Sequence, residues 1–264
     1  MSSPKIVIVT GANSGIGWEA VKALLESSRA YTILAAARSK DKATSAIEQL
    51  KKAVPSSKST VEPLVVDLAS DESIEKAFEQ VKQKYGVVDC LMNNAGAASH
   101  MHELGVRGAF NENYNVNVAG TNVMTHTFIP LLLKSSDPRL IFVGGLSQIT
   151  QAAEEYFPTP PLPAGWPKEV AFETIPYRCS KVALNMLMLD YNHKLKADGV
   201  KVWSVSPGFL VTNLGGGGEV AEMTKAMGAG HASEGGDMLR RVVEGERDAD
   251  TGKFVAKDGG FIPW

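Results

Sequence analysis

Lys5–Gly17 reads KIVIVTGANSGIG, an apolar β-branched run that passes straight into a glycine-rich turn. Lys5–Thr10 has the continuous hydrophobicity of a strand buried on both faces. From Gly15 to about Ser28 the spacing becomes helical, with Ile16, Ala20, Ala23 and Leu24 on one side. Strand, glycine turn and helix in that order open a βαβ unit. Glycines at such a turn let the chain bend tightly and let a pyrophosphate approach the helix N-terminus, whose unpaired N–H groups and dipole favour an anion. The candidate anion-binding residues are Gly11, Asn13, Ser14, Gly15, Ile16 and Gly17. The spacing is Gly-x-x-x-Gly-x-Gly, not the commoner Gly-x-Gly-x-x-Gly of dinucleotide turns. The alternative is a tight turn that holds no ligand.

The pattern outward from this unit repeats. Strands are expected at Thr32–Ala36, Val61–Val66, Val88–Asn93, Arg139–Val143 and Val200–Ser206, with a last one at Lys253–Lys257. Helices are expected from about Lys40 to Ala53, over Asp71–Tyr85, centred on Val116–Leu133, and over Pro176–Lys196. Strands alternating with helices of this length give right-handed crossovers and a parallel sheet. The expectation is an α/β protein of the doubly wound Rossmann type, one domain over residues 1–264. Two stretches break the rhythm. Residues 151–176 hold Pro158, Pro160, Pro161, Pro163 and Pro167 and read as an inserted loop, since proline ends helices and central strands. Residues 208–236 hold the run Gly215–Gly218 and further glycines, and read as a mobile segment suited to closing over a substrate.

Bulk properties exclude several classes. The chain has 264 residues, 44% hydrophobic and 21% charged, with a formal net charge of −2. That balance, without a Lys/Arg cluster, argues against nucleic acid as a partner. No apolar run reaches the roughly 18–20 residues needed to cross a bilayer, so no membrane span is expected. Met1–Lys5 runs directly into the strand, which gives no sign of a signal peptide. Cys90 and Cys179 are too few for a disulfide framework and read as reduced, inert thiols. The expectation is a cytoplasmic enzyme acting on a small molecule.

The end of the second strand bears on which dinucleotide is held. A carboxylate there would bond the 2′-hydroxyl of an adenosine ribose. This chain has Ala36-Ala37-Arg38-Ser39, with no carboxylate until Asp41. Arg38 offers a planar fork suited to a 2′-phosphate and Ser39 a further donor, which favours NADPH over NADH. The alternative is a solvated surface arginine.

With these pieces in place, the chain resembles the short-chain dehydrogenase/reductase family over essentially its whole length. The matching motifs are TGANSGIG at Thr10–Gly17, Asp67-Leu68, NNAG at Asn93–Gly96, Asn117, Tyr177-Arg-Cys-Ser-Lys181, and Pro207-Gly208 with Thr212. The resemblance implies that Asp67 contacts adenine and that Asn94 lies along the adenosine ribose. It implies that Pro207, Gly208 and Thr212 border the nicotinamide, that Lys181 holds the nicotinamide ribose, and that Asn117 fixes a water leading to solvent. Carbonyl reductases of the family carry similar insertions, which favours a monomer over a homo-oligomer. The closing GKFVAKDGGFIPW and the AGWPK of the insertion resemble fungal members, and raise secondary metabolism as a context.

Physical chemistry supports the tyrosine–lysine pair independently. Four residues apart on a helix, Tyr177 and Lys181 share a face. An ammonium beside the phenol, helped by an oxidised nicotinamide, lowers a pKa that is otherwise about 10. Tyr177 then gives a proton to a carbonyl oxygen as hydride reaches carbon. The expected reaction is reduction of a ketone or aldehyde.

One element departs from the family. The fifth strand usually ends in a pair of serines, the second of which bonds the substrate oxygen, and here Gly145 occupies that position. Losing such a donor costs about 2.7–4 kcal/mol of transition-state stabilisation. Ser147, two residues on, is a candidate replacement. The other readings are a water in the gap, a substrate that needs no donor, or altered chemistry such as C=N or C=C reduction, cyclisation or binding alone. In the insertion Tyr156, Phe157, Trp166 and Phe172 suit a pocket for a bulky apolar substrate, or a loop that covers the domain. His100 and His102 lie close, but no zinc spacing accompanies them and no metal is expected.

Overall fold

The computed structural model describes residues 3–264 except 146–148, 155, 157–160, 169 and 171–172. Its elements run β1 (Lys5–Thr10), α1 (Gly15–Glu26), β2 (Tyr31–Ala37), α2 (Lys40–Ala53), β3 (Thr60–Val65), α3 (Asp71–Lys84) and β4 (Cys90–Asn93). Next come α4 (Met101–Tyr114), a π-helical segment (Asn115–Gly120), α5 (Thr121–Leu132), β5 (Arg139–Val143), α6 (Ile149–Glu154) and α7 (Ile175–Leu195). The chain continues through β6 (Lys201–Ser206), β7 (Leu210–Val211), α8 (Gly218–Ala226), β8 (Gly230–His231), α9 (Ala232–Val243) and β9 (Phe254–Ala256). Seven strands form a parallel sheet in the order β3-β2-β1-β4-β5-β6-β9, and β7 and β8 pair separately.

Strand alternation builds the two cores. Ile6 and Ile8 face one side of the sheet, with Ile74 of α3, Phe128 of α5 and Met188 of α7. Val7 and Val9 face the other, with Leu24 of α1, Leu50 of α2 and Leu239 of α9. Burying each of these apolar side chains contributes about 1.5–3 kcal/mol. This is why β1 is apolar at every second residue on both faces. Cys90 is buried in the sheet, and burial pushes its thiol up to about 12; burial also raises that of Cys179. Both cysteines are free.

At the end of the strands away from the glycine turn, Arg139 is nearly fully buried and forks between Asp137 and Asp248. Lys201 reaches the same two carboxylates at 2.8 and 2.6 Å, and Lys5 pairs with Asp137. Burial pushes the Asp137 carboxyl up, but hydrogen bonds from Lys201 and Lys5 and the Arg139 charge outweigh it and hold it well below the usual carboxylate range.

Several helical features differ from the sequence expectation, among them α6, which carries helix as far as Glu154 into the stretch expected as a loop. The helix expected around Val116–Leu133 begins at Met101, with a break at Gly105 (φ 68°), and passes through a π turn at Asn115–Gly120. Within the glycine-rich stretch, Gly218–Ala226 is helical and residues 232–236 open α9. Gly236 serves packing there: a Cβ on it would lie 2.5 Å from the main-chain carbon of Glu19, because α9 lies directly against α1.

Candidate active site

The strand order reverses between β1 and β4, and open α/β sheets place ligands in the crevice at that reversal. A cavity of about 550 Å³ occupies it. Its floor is the turn after β1. Thr10 Oγ1 donates to the Met92 carbonyl (3.2 Å) and accepts from the N–H groups of Asn94 and Ala95 (both 3.0 Å). Asn94 Nδ2 donates back to the Thr10 carbonyl at 2.8 Å. A Cβ on Gly17 would sit 2.4 Å from both Asn94 Nδ2 and the Gly11 carbonyl, so only glycine permits this fold of the turn. Ser14 precedes α1 in extended backbone and makes no side-chain cap to it. The first N–H groups of α1, at Gly15 and Ile16, therefore border the cavity without a protein side chain satisfying them.

Asn13, Arg38, Asp67, Leu68 and Thr212 line the same cavity. Arg38 is exposed at its rim and makes no ion pair or hydrogen bond among the described residues. Ser39 caps α2, accepting from Lys42 N–H at 3.4 Å. Asp67 Oδ1 accepts from Ala69 N–H at 3.0 Å.

At the far end stand Tyr177 and Lys181, in the first turns of α7, which opens with Ile175-Pro176 where a proline suits a helix start. Lys181 is buried, and its Nζ donates to the Val143 carbonyl at 2.9 Å, 5.6 Å from the centre of the Tyr177 ring. Behind it, Asn117 sits fully buried in the π turn. Its Nδ2 donates to the Ala97 carbonyl (2.9 Å) and to Ser180 Oγ (2.8 Å), and its Oδ1 accepts from Ala97 N–H (2.7 Å). Ser180 Oγ in turn donates to the Tyr177 carbonyl at 2.7 Å. The Asn117 amide thus spends both protons in fastening the loop after β4 to the base of α7.

A family profile described as short chain dehydrogenase matches residues 5–155, from β1 past β5. This chain is a short-chain dehydrogenase/reductase. It is 47% identical over 266 residues to the short-chain dehydrogenase/reductase tropE of Talaromyces stipitatus, covering 100% of this chain and 99% of that one. To eupG of a Phoma species it is 44% identical over 260 residues, covering 94% and 93%. The fold is shared with an NADPH-bound carbonyl reductase from chicken fatty liver (TM-score 0.77, 23% identity, 99% of each chain). Members of the family are oxidoreductases that use a nicotinamide dinucleotide, and the uncapped N-terminus of α1 above a turn closed by Gly17 fits one.

In this short-chain dehydrogenase/reductase burial shifts both members of the pair. Burial pushes the Tyr177 phenol up to about 12 and the Lys181 ammonium down to about 8. Burial strips water from each charged form, and the Lys181 ammonium, which lies over the Tyr177 ring, gives its hydrogen bond to the Val143 carbonyl.

Not every expected residue reaches the cavity wall. Gly17, Ser39 and Asn117 stand behind it. Pro207 packs toward Gly235, and Gly208 lies under the aliphatic stem of Lys257. Ser147 lies outside the described residues, as do Phe157 and Phe172. Of the other insertion aromatics, Tyr156 lies with Arg178 over its ring (4.7 Å) and Trp166 is 88% exposed; neither lines the cavity.

Sequence reading missed several wall residues, Ala97, Ala98, Glu112 and Val116, while Asn213–Gly215 of the stretch expected to close over a substrate do reach the wall. His100 and His102 stack at 5.3 Å, but His100 Nε2 donates to the Gly215 carbonyl at 3.0 Å and ties the glycine run to the loop after β4. No cluster of three potential metal ligands occurs among the described residues, and no helix there is long and apolar enough to cross a membrane.

Proposed function

We propose that the protein is an NADPH-dependent reductase that converts a ketone or aldehyde to an alcohol in the cytoplasm. The observation that carries this reading is Tyr177 on the cavity wall with Lys181 one turn behind it. A phenol pushed up to about 12 stays protonated at neutral pH, as a proton donor must before reduction begins. The bound nicotinamide supplies the hydride. Tyr177 delivers its proton to the developing alkoxide, and Lys181 holds the ribose and favours the phenolate left behind. Asn117, both amide protons being spent, serves the relay by fixing the main chain around Lys181. Arg38, exposed and unpaired among the described residues, receives the 2′-phosphate, with Ser39 beside it. The chicken carbonyl reductase of the same fold is described as NADPH-bound, which accords with this choice.

Glycine at residue 145 favours one second reading, reduction of a C=N or C=C bond, where no hydroxyl need polarise a carbonyl. Loss of NADPH absorbance against a panel of ketones, aldehydes, imines and enones separates the two. Tyr177→Phe is expected to lower carbonyl turnover by about 10²–10⁴-fold, with cofactor affinity nearly unchanged. Turnover unaffected by that substitution would sink the mechanism.

A further inference from the structure

Residues 254–264 are built into the surroundings of the site. The Phe254 ring of β9 is fully buried and fills the space a side chain at residue 144 would need: a Cβ on Gly144 would lie 2.9 Å from Phe254 Cε2. Trp264 stacks on that ring, with centroids 5.7 Å apart and planes 21° from parallel. A main-chain oxygen of Trp264 accepts from Thr150 N–H at 3.2 Å and also from Thr150 Oγ1. Gly144 and Thr150, at the two ends of the stretch 144–150, therefore both bear on one aromatic pair. Gly144 lines the cavity beside Val143, whose carbonyl holds Lys181.

The return of the chain that brings Trp264 there is itself bonded. Ile262 N–H donates to the Phe254 carbonyl (2.9 Å), Ala256 N–H to that of Gly260 (3.0 Å), and the Arg247 guanidinium to the same Gly260 oxygen (3.3 Å). On the opposite rim, Lys257 lays its stem on Gly208 and pairs with Glu234, whose carboxylate also accepts from His231 N–H and caps α9. One short segment thus touches both stretches that flank the substrate end of the cavity, after β5 and after β6. Among the described residues no hydrogen bond or ion pair joins it to the residues around the pyrophosphate turn.

We propose that residues 254–264 form a clamp that sets which substrates the site accepts, with Trp264 as its positioning residue. This rests on the reductase reading for its kinetic arm only. Trp264 leans on Phe254, Phe254 fixes where β5 ends, and the main-chain oxygen of Trp264 fixes where α6 begins. Removing the indole takes away the ring that backs Phe254 and that anchors residue 264 against Thr150, so it loosens the hold on both ends while leaving Tyr177, Lys181 and the cofactor turn in place.

The test compares Trp264→Ala and Trp264→Phe in the full chain by three measurements: carbonyl-reduction kinetics, NADPH affinity, and hydrogen exchange over residues 144–150. Trp264→Ala is expected to lower kcat/KM for the carbonyl about tenfold or more, chiefly through KM. Its NADPH affinity should stay within about twofold of the parent, because the clamp lies apart from the turn. Trp264→Phe, which keeps a stacking ring, should recover kcat/KM to within about threefold. Faster exchange of the Thr150 amide in Trp264→Ala supports the clamp even if the parent reduces no carbonyl, in which case only the reductase reading fails. Unchanged exchange overturns the clamp. So does a loss of NADPH affinity that matches the loss of activity and is not rescued by phenylalanine, since that pattern marks general destabilisation.

Discussion

Replacing Arg38 with alanine isolates the contact that would distinguish the two nicotinamide dinucleotides. Arg38 is exposed, is free of any carboxylate among the described residues, and stands at the cavity rim beside the N-terminus of α2. A charge-assisted hydrogen bond to such a group contributes about 1.5–3 kcal/mol, and a planar fork on a phosphate can form two. Exposure to water and salt argues for the lower figure from each. The expected loss for NADPH is therefore about 10–150-fold in Kd, at 1.4 kcal/mol for each factor of ten. A part of the preference should survive. The N-terminus of α2, with Ser39 as its cap, attracts an anion by about 0.3–1 kcal/mol whatever stands at residue 38. Arg38→Ala should thus keep about a twofold to fivefold preference for NADPH, with NADH affinity unchanged. Fluorescence titration of parent and variant with both dinucleotides, at low and at physiological salt, reads each quantity. The gap between parent and variant should narrow as salt rises. A parallel fall in NADH affinity, or a parent that binds NADH at least as tightly as NADPH, would refute the assignment of Arg38.

Two further predictions concern what holds the site in place. A Cβ on Gly120 would lie 1.9 Å from the Leu68 carbonyl oxygen, a main-chain atom that cannot swing aside, so Gly120→Ala should cost more than about 4 kcal/mol and lower Tm by about 10 °C or more. A shift under about 2 °C in thermal unfolding would show that α5 can move off Leu68 without loss. The Asp137 carboxyl, held below its usual range, stabilises the fold fully above the unfolded value near pH 4 and loses that contribution as pH falls toward the folded value. Asp137→Asn should lower Tm by about 5–10 °C at pH 7, with the gap to the parent closing below about pH 4; a gap that stays constant down to about pH 3 would refute the role.

The strands of the main sheet were legible because their signal is local. The apolar stretch Thr32–Ala36 lies within the strand Tyr31–Ala37, and Arg139–Val143 matches its strand to the residue. What stayed hidden depends on partners distant in sequence. Gly235 and Gly236 read as flexible, yet they are small because Pro207, Leu210 and the α1 main chain occupy the space around them. The start of α4 was hidden by Gly105 and Gly108, which weaken any helical pattern. Glu112 lies on that helix and carries no motif of its own. Tyr177, Lys181 and the glycine turn were legible since each is a spacing within one short segment. Asn213–Gly215 reach the cavity only through a long excursion after β6, fastened by His100, and no short window of sequence contains both partners.

The pairing of β6 with β9 has a consequence for how the protein is made. Ser204 pairs with Phe254, and β9 is the last of the seven strands to be synthesised. At about 5–20 residues per second, on the order of 5–20 s separate the appearance of Gly144 from that of Phe254. Over that interval β1 to β5 and the dinucleotide turn can assemble on the nascent chain, while the ring that packs on Gly144 does not yet exist. The two halves of the site therefore mature at different times. If the proposed clamp holds, a growing chain completes the dinucleotide turn before it acquires the wall against which a substrate would be shaped.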